Sequence, residues 1–161
     1  MRVIAGSARG KVLQALPGED VTRPTIDRVK EAMFSSVQFL VPGARVLDLF
    51  AGSGQLGIEA LSRGAKSCTF VDQSPEALAV VKANCKAAGV ERQSDIRHAE
   101  ALGLLAQVLP ALQEKVAPGG VILAESERDA ELPEQVGSLV RTKQYFYGKI
   151  MVSRYEREGQ V

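Results

Sequence analysis

Residues 46–57, Val-Leu-Asp-Leu-Phe-Ala-Gly-Ser-Gly-Gln-Leu-Gly, limit the folds open to this chain more than any other stretch. A short apolar run enters a turn in which Gly52, Gly54 and Gly57 keep the G-x-G-x-x-G spacing. A brief helical run follows, and a second apolar run ends on Asp72. Buried strand, glycine turn, helix and second strand with an acid at its tip form the framework of a nucleotide-type cofactor site.

The glycine spacing alone does not choose the cofactor; Asp48 does. A dinucleotide lays its pyrophosphate over this turn and the positive end of the following helix. A carboxylate at the end of the first strand would repel it in a low-dielectric cleft. S-adenosylmethionine carries no phosphate and offers an ammonium and a sulfonium, which a nearby Asp suits. Asp48 is therefore expected to accept from the methionine amino group, directly or through water, and Asp72 to accept from both ribose hydroxyls. The alternative is a plain strand-to-helix turn with Asp48 solvated.

Strands and helices alternate on either side of this unit, which implies an α/β fold with a doubly wound, mostly parallel sheet. Residues 2–16 read as a hairpin whose loop carries Arg9, with Lys11 just beyond it. Ile26, Val29, Met33, Val37 and Leu40 recur at helical spacing, with Thr25 as N-cap and Pro42-Gly43 as the stop. Ser74-Pro75-Glu76 opens a helix with a cap, a first-position proline and a first-turn acid, and Gly89 closes it. Further strands are expected over 95–99 and 120–126, and two more within 139–156, joined near Gly148-Lys149.

At 161 residues, 45% apolar and 24% charged, the chain is the size of one soluble domain. No apolar run approaches a membrane span and no charged-then-apolar leader opens the chain, so a cytoplasmic protein is expected. Cys68 and Cys85 lie in apolar segments, and His98 is the only histidine, so no structural metal site has a ligand set. Net charge is +1, unevenly spread: residues 1–30 carry six Lys or Arg against three acids, and residues 141–161 carry five against two. The basic ends suit a nucleic-acid backbone, or are simply solvated.

One interval does not fit. Between Glu100 and Gly120 lie nineteen residues that read as helix interrupted by Pro110. A sheet of this kind needs helix, strand and helix there, roughly thirty residues or more. The missing strand would be the neighbour of residues 46–49, and unpaired backbone groups cost on the order of 1–3 kcal/mol each when buried. The 161-residue sequence is therefore expected to omit a segment near Ala106 to Val108.

Arg2-Val-Ile-Ala-Gly with Arg9-Gly10, then residues 22–31, Thr-Arg-Pro-Thr-Ile-Asp-Arg-Val-Lys-Glu, then Leu47-Asp-Leu-Phe-Ala-Gly-Ser-Gly, together resemble the bacterial 16S ribosomal RNA guanine-N2 methyltransferases of the D type, which modify guanine 966. The resemblance runs from Arg2 to about Glu156. It implies a class I methyltransferase fold with seven strands and a terminal antiparallel hairpin, S-adenosylmethionine as donor, and a flipped guanine as acceptor. It makes residues 1–24 an RNA-contacting extension and 25–161 the Rossmann-like domain, with 16S RNA or the assembling small subunit as partner and neither metal nor membrane involved. By the resemblance, Asp48, Gly52 and Gly54 fall on the methionine side of the cofactor and Asp72 on its ribose, with Ala51 and Gln73 as further cofactor contacts. Glu100 and Ala101 fall near the adenine, although Glu100 also reads as a solvated acid at a helix start. Arg23 and Thr25 join Arg9 and Lys11 as expected substrate contacts, or only cap and anchor the helix. The family's fourth strand ends in Asp or Asn followed by Pro-Pro and an aromatic; no such tetrapeptide occurs here, so the catalytic residues are unknown from this sequence. Rival possibilities are DNA or protein amine methylation on the same fold, a dinucleotide-binding oxidoreductase or regulatory module, and a cofactor- and RNA-binding module without catalysis.

Overall fold

Local signals account for most of the elements. The structure, a computed structural model, describes residues 1–18, 24–99 and 105–159, with the backbone alone at 24–26 and 105–107. The chain divides into two compact units, Met1–Ala101 and Leu102–Val161.

The first unit holds α1 (Pro24–Ser36), β1 (Arg45–Leu49), α2 (Gln55–Ser62), β2 (Ser67–Asp72), α3 (Pro75–Ala88) and β3 (Ser94–His98). The three strands are parallel in the order β1-β2-β3, with Asp48 opposite Phe70 and Asp72 opposite His98. The apolar faces of α2 and α3 bury Ile58, Leu61, Ala77, Val81 and Cys85, and β2 buries Cys68 and Phe70. Helix α3 begins and ends as its sequence predicts: Ser74 accepts from the Ala77 N–H at 3.2 Å, and Gly89 closes it in the left-handed conformation. Helix α1 departs from expectation at both ends. It starts at Pro24, which makes Thr25 its second residue rather than its N-cap, and it stops at Ser36, where a turn with Leu40 N–H bonded to Val37 O replaces the last helical turn.

The expected hairpin at residues 2–16 is a chain reversal with one bridge, Arg2 to Val12, rather than two strands. The cause is tertiary. The Ile4 and Ala5 amides bond to the Glu59 carboxylate at 2.9 and 3.0 Å, and Ser7 and Ala8 bond to Ser62 on α2, so these groups are not available to a ladder. This N-terminal arm lies within the first unit, burying Val3, Ala8 and Leu13, and the division between the units falls after residue 101.

The second unit holds α4 (Leu105–Leu112), β4 (Val121–Glu127), β5 (Gln135–Val136), β6 (Leu139–Tyr147) and β7 (Ile150–Arg157). Its strands are antiparallel in the order β4-β7-β6-β5, and Tyr147 faces Ile150 across the turn at Gly148-Lys149. Leu109, Ala124, Leu139 and Tyr155 form its core, with the Tyr155 hydroxyl donating to Pro133 O at 2.7 Å. Arg157 donates to Gln113 O and Val116 O just past α4, satisfying carbonyls that the helix leaves open.

Seven strands are thus described, as a three-stranded parallel sheet and a four-stranded antiparallel one instead of the single sheet the resemblance implies. The interval 105–120 supplies α4 and no strand; α4 runs unbroken from Leu105 to Leu112 through Pro110. Among the described residues β1 pairs only with β2, and its Leu47 side chain stays 48% exposed, an unusual state for a strand with an apolar, two-faced sequence.

Candidate functional site

The C-terminal ends of β1 and β2 bring Asp48, Ala51, Gly52, Gly54 and Asp72 together. Parallel pairing aligns the two strand tips, and the ladder continues into the turn, where the Ala51 N–H donates to Val71 O at 3.0 Å. Each glycine of the turn has its own cause. Gly52 (φ 56°) and Gly54 (φ 79°) sit in the left-handed region, with Gly54 at the cap of α2. Gly57 has ordinary dihedrals, but a Cβ there would collide with the Phe70 ring, so its role is close helix-to-strand packing. Phe50 takes φ 65° without being glycine, a conformation that costs about 1–3 kcal/mol and recurs at ligand-binding turns.

Asp48 is buried, and its Oδ2 accepts the Gly57 N–H at 2.9 Å. Burial pushes its carboxyl up to about 7; the charge of Asp72 adds to this, and the Gly57 bond opposes it. No cationic side chain is paired with Asp48 among the described residues. Asp72 uses both oxygens: Oδ2 accepts the Gly52 N–H at 2.9 Å and Oδ1 the Ser74 N–H at 2.8 Å, which ties the glycine turn to the start of α3. Each oxygen keeps a further lone pair for a ligand hydroxyl. Gln73 is exposed beside Asp72, and its carbonyl lies 3.0 Å from His98 Nε2. Among the described residues, the buried Oε1 of Gln55, at the start of α2, has no hydrogen-bond partner.

This donor set fits a cationic ligand better than a phosphate. One of the α2 amides that would face a pyrophosphate, that of Gly57, is already committed to Asp48. The uncompensated carboxyl of Asp48 invites an ammonium, which would hold it ionised.

Arg9 and Lys11 are exposed on the arm. Arg23, Glu100 and Ala101 lie outside the described residues, and Thr25 is described by its helical backbone alone. Among the described residues no group of three or more His, Cys, Asp or Glu is placed to hold a metal ion, and no helix is long and apolar enough to cross a membrane. Sequence reasoning missed the polar residues that seat the arm: Glu59 and Ser62 hold it to α2, Asn84 holds it to α3 and the turn, all three buried, and Ser53 lies between the first two glycines. The signal was present. Asn84 falls on the stripe that also carries Ala77, Val81 and Cys85, and Glu59 lies between Ile58 and Ala60, polar residues at core positions.

A family model described as "Conserved hypothetical protein 95" matches residues 1–111. A Bacillus subtilis (strain 168) protein named "Putative rRNA methyltransferase YlbH" is 39% identical, over 99% of this chain and 100% of its own length. "Ribosomal RNA small subunit methyltransferase D" of Escherichia coli (strain K12) is 31% identical over 99% of this chain and 91% of its own. Among solved structures, "Putative methyltransferase yhhF from Escherichia coli" superposes with a TM-score of 0.84 at 25% identity, covering 98% of each chain. An RNA methyltransferase from Salinibacter ruber, solved with S-adenosyl-L-homocysteine, gives a TM-score of 0.64 at 19% identity over 86% of this chain and 95% of that one, a likeness of fold alone. The fold is that of the class I S-adenosylmethionine-dependent methyltransferases. The alignment with the Bacillus protein runs over 185 positions against 161 residues here, so about two dozen positions have no residue in this chain. The family match stops at residue 111, within α4.

Proposed function

The chain belongs to the family described as conserved hypothetical protein 95, and from that premise we propose that it is a methyltransferase using S-adenosylmethionine, acting on the exocyclic N2 of a guanine in 16S ribosomal RNA, of the guanine 966 type. The observation that carries the donor half is Asp48: a buried carboxyl with no counter-charge among the described residues, set at the tip of β1 where it occupies the Gly57 amide. Asp48 holds the methionine ammonium, and the remaining lone pairs of Asp72 take the ribose hydroxyls. Gly52 and Gly54 keep side chains away from the donor, with Ala51 and Gln73 flanking it, and Glu100 and Ala101 stand on the adenine side. When bound, the cofactor supplies a methyl group on a sulfonium, an electrophile that needs no metal.

Arg9, Lys11, Arg23 and Thr25 hold the RNA, through contacts to its backbone that position it without reading its sequence. The partner is 16S RNA or the assembling small subunit, in the cytoplasm. Guanine N2 is a poor nucleophile because its lone pair is delocalised into the ring. Transfer therefore requires acceptors that turn the amine in line and take its proton. The Asp/Asn-Pro-Pro-aromatic tetrapeptide that does this in the family would lie in a segment near Ala106 to Val108 that the 161-residue sequence omits, on a further strand beside β1.

The test is transfer of labelled methyl groups to small-subunit particles that lack the modification, followed by nucleoside analysis. N2-methylguanosine is the expected product. A different nucleoside, a labelled ribosomal protein, or failure to bind S-adenosylhomocysteine would overturn the proposal. A second reading, a cofactor- and RNA-binding module, is favoured by the lack of the tetrapeptide in all 161 residues; binding without transfer in the same assay would select it.

A further inference from the structure

Asn84 lies on α3 with its side chain fully buried, and it joins two places that the proposed function keeps apart. Its Nδ2 donates to Ser53 O at 2.9 Å and to Gln14 O at 2.9 Å, while its Oδ1 accepts the Gln14 N–H at 2.7 Å. The amide orientation follows from the partners: a backbone N–H can only donate and both carbonyls only accept. Ser53 stands between Gly52 and Gly54 in the donor turn. Gln14 closes the arm that carries Arg9 and Lys11. A second link runs the same way, with Ser53 Oγ 3.5 Å from Met1 Sδ, and Met1 O in turn accepting the Leu13 N–H at 3.0 Å.

The arm is suited to having two states. It has one β-bridge of its own and contributes no strand to the sheet; it is seated by the buried side chains of Val3, Ala8 and Leu13 and by polar bonds from Lys30, Glu59, Ser62 and Asn84, so it can loosen locally without unpairing the sheet. Of these anchors, Asn84 is the one bonded directly to the cofactor turn as well. A ligand that orders the Ser53 carbonyl holds Asn84 in the rotamer that receives Gln14, and a polyanion that holds the arm down does the converse.

We propose that Asn84 is a positioning residue that couples the methyl-donor turn to the N-terminal arm, so that cofactor and RNA bind cooperatively. The proposal rests on the donor and RNA assignments above, and the experiment separates the two. S-adenosylhomocysteine binding is measured by calorimetry, and amide hydrogen exchange is followed at Val3, Gly10, Leu13 and Gln14 with and without it. In the wild-type protein, ligand slows exchange across the arm about fivefold or more, and a ribosomal RNA fragment tightens S-adenosylhomocysteine by a similar factor. In Asn84→Ala the ligand still binds, but both factors fall to about one. Gly6→Ala reaches the same end with Asn84 intact, because its Cβ collides with the Ser62 carbonyl and lifts the arm; it carries the test should Asn84→Ala not fold. A purely structural role for Asn84 would weaken each affinity and leave the factors unchanged, which overturns the coupling. Ligand binding that leaves arm exchange untouched in the wild type overturns it too. No binding of S-adenosylhomocysteine at all would overturn the donor assignment, and the coupling with it.

Discussion

Asp48 gives the site a pH dependence that can be worked out in sign. Its carboxyl stands at about 7 against an ordinary 3.8, so between those values the folded protein keeps a proton that the unfolded chain has lost. The stability of the ligand-free protein therefore falls as pH rises through that window and levels off above about 7. An ammonium against the carboxylate reverses the preference, so binding expels the proton. Affinity for S-adenosylhomocysteine should rise about tenfold between about pH 6 and 8 and then flatten, and Asp48→Asn should abolish the slope. Calorimetry across that range decides it, and a flat wild-type profile removes Asp48 from the ammonium. Gly57 makes a second residue-scale prediction. Gly57→Ala drives a Cβ into Phe70 and to 2.7 Å from Cys68 Sγ, which should cost about 1–3 kcal/mol in urea unfolding. Both roles were legible only in part: the sequence marks the spacing and the acid, but Gly57's reason is a ring from another strand.

At the scale of elements, the proposed RNA contact places Arg9 and Lys11, both exposed, on the arm. Arg9→Ala or Lys11→Ala should weaken RNA binding and lower its salt dependence by a slope of about 0.7–0.9 for each RNA phosphate that the variant leaves unneutralised, while S-adenosylhomocysteine affinity alone is unchanged. RNA affinity that does not move over a salt series would take the arm out of the interface. Helix α3 was readable from its residues because capping is local: Ser74, Pro75 and Gly89 act within one turn of themselves. The arm was not. Its alternating residues suit a hairpin, yet Glu59 and Ser62, more than fifty residues away, take the amides that a ladder would use. Burying Glu59 is tolerable because Lys30 lies 3.5 Å from it and Arg63 2.8 Å, so its charge is compensated. Desolvation lowers the pKa of Lys30 while Glu59 raises it, and the net direction is down.

At the scale of the molecule, two observations bear on the chain's length: among the described residues β1 has an unpaired edge, and the chain is about two dozen positions short of its alignment with the Bacillus relative. Intact mass of the protein purified from its source should exceed 17.2 kDa. A mass of 17.2 kDa would make the short connection real, and the expected behaviour is then cofactor binding without methyl transfer.

By itself the sequence determined the α/β alternation, the glycine turn with its two acids, the capped helix α3 and the lack of a strand within the described residues 105–120. These follow from short-range spacing, polarity and chain length, which need no partner to be read. The tertiary structure alone decided that Asp48 is buried with no cationic partner among the described residues, that the arm is seated by side-chain acceptors rather than by a ladder, and that Asn84 links it to the turn. Each depends on burial and on pairs far apart in the chain. A carboxyl's cost or an amide's partner has no meaning until folding has removed the water.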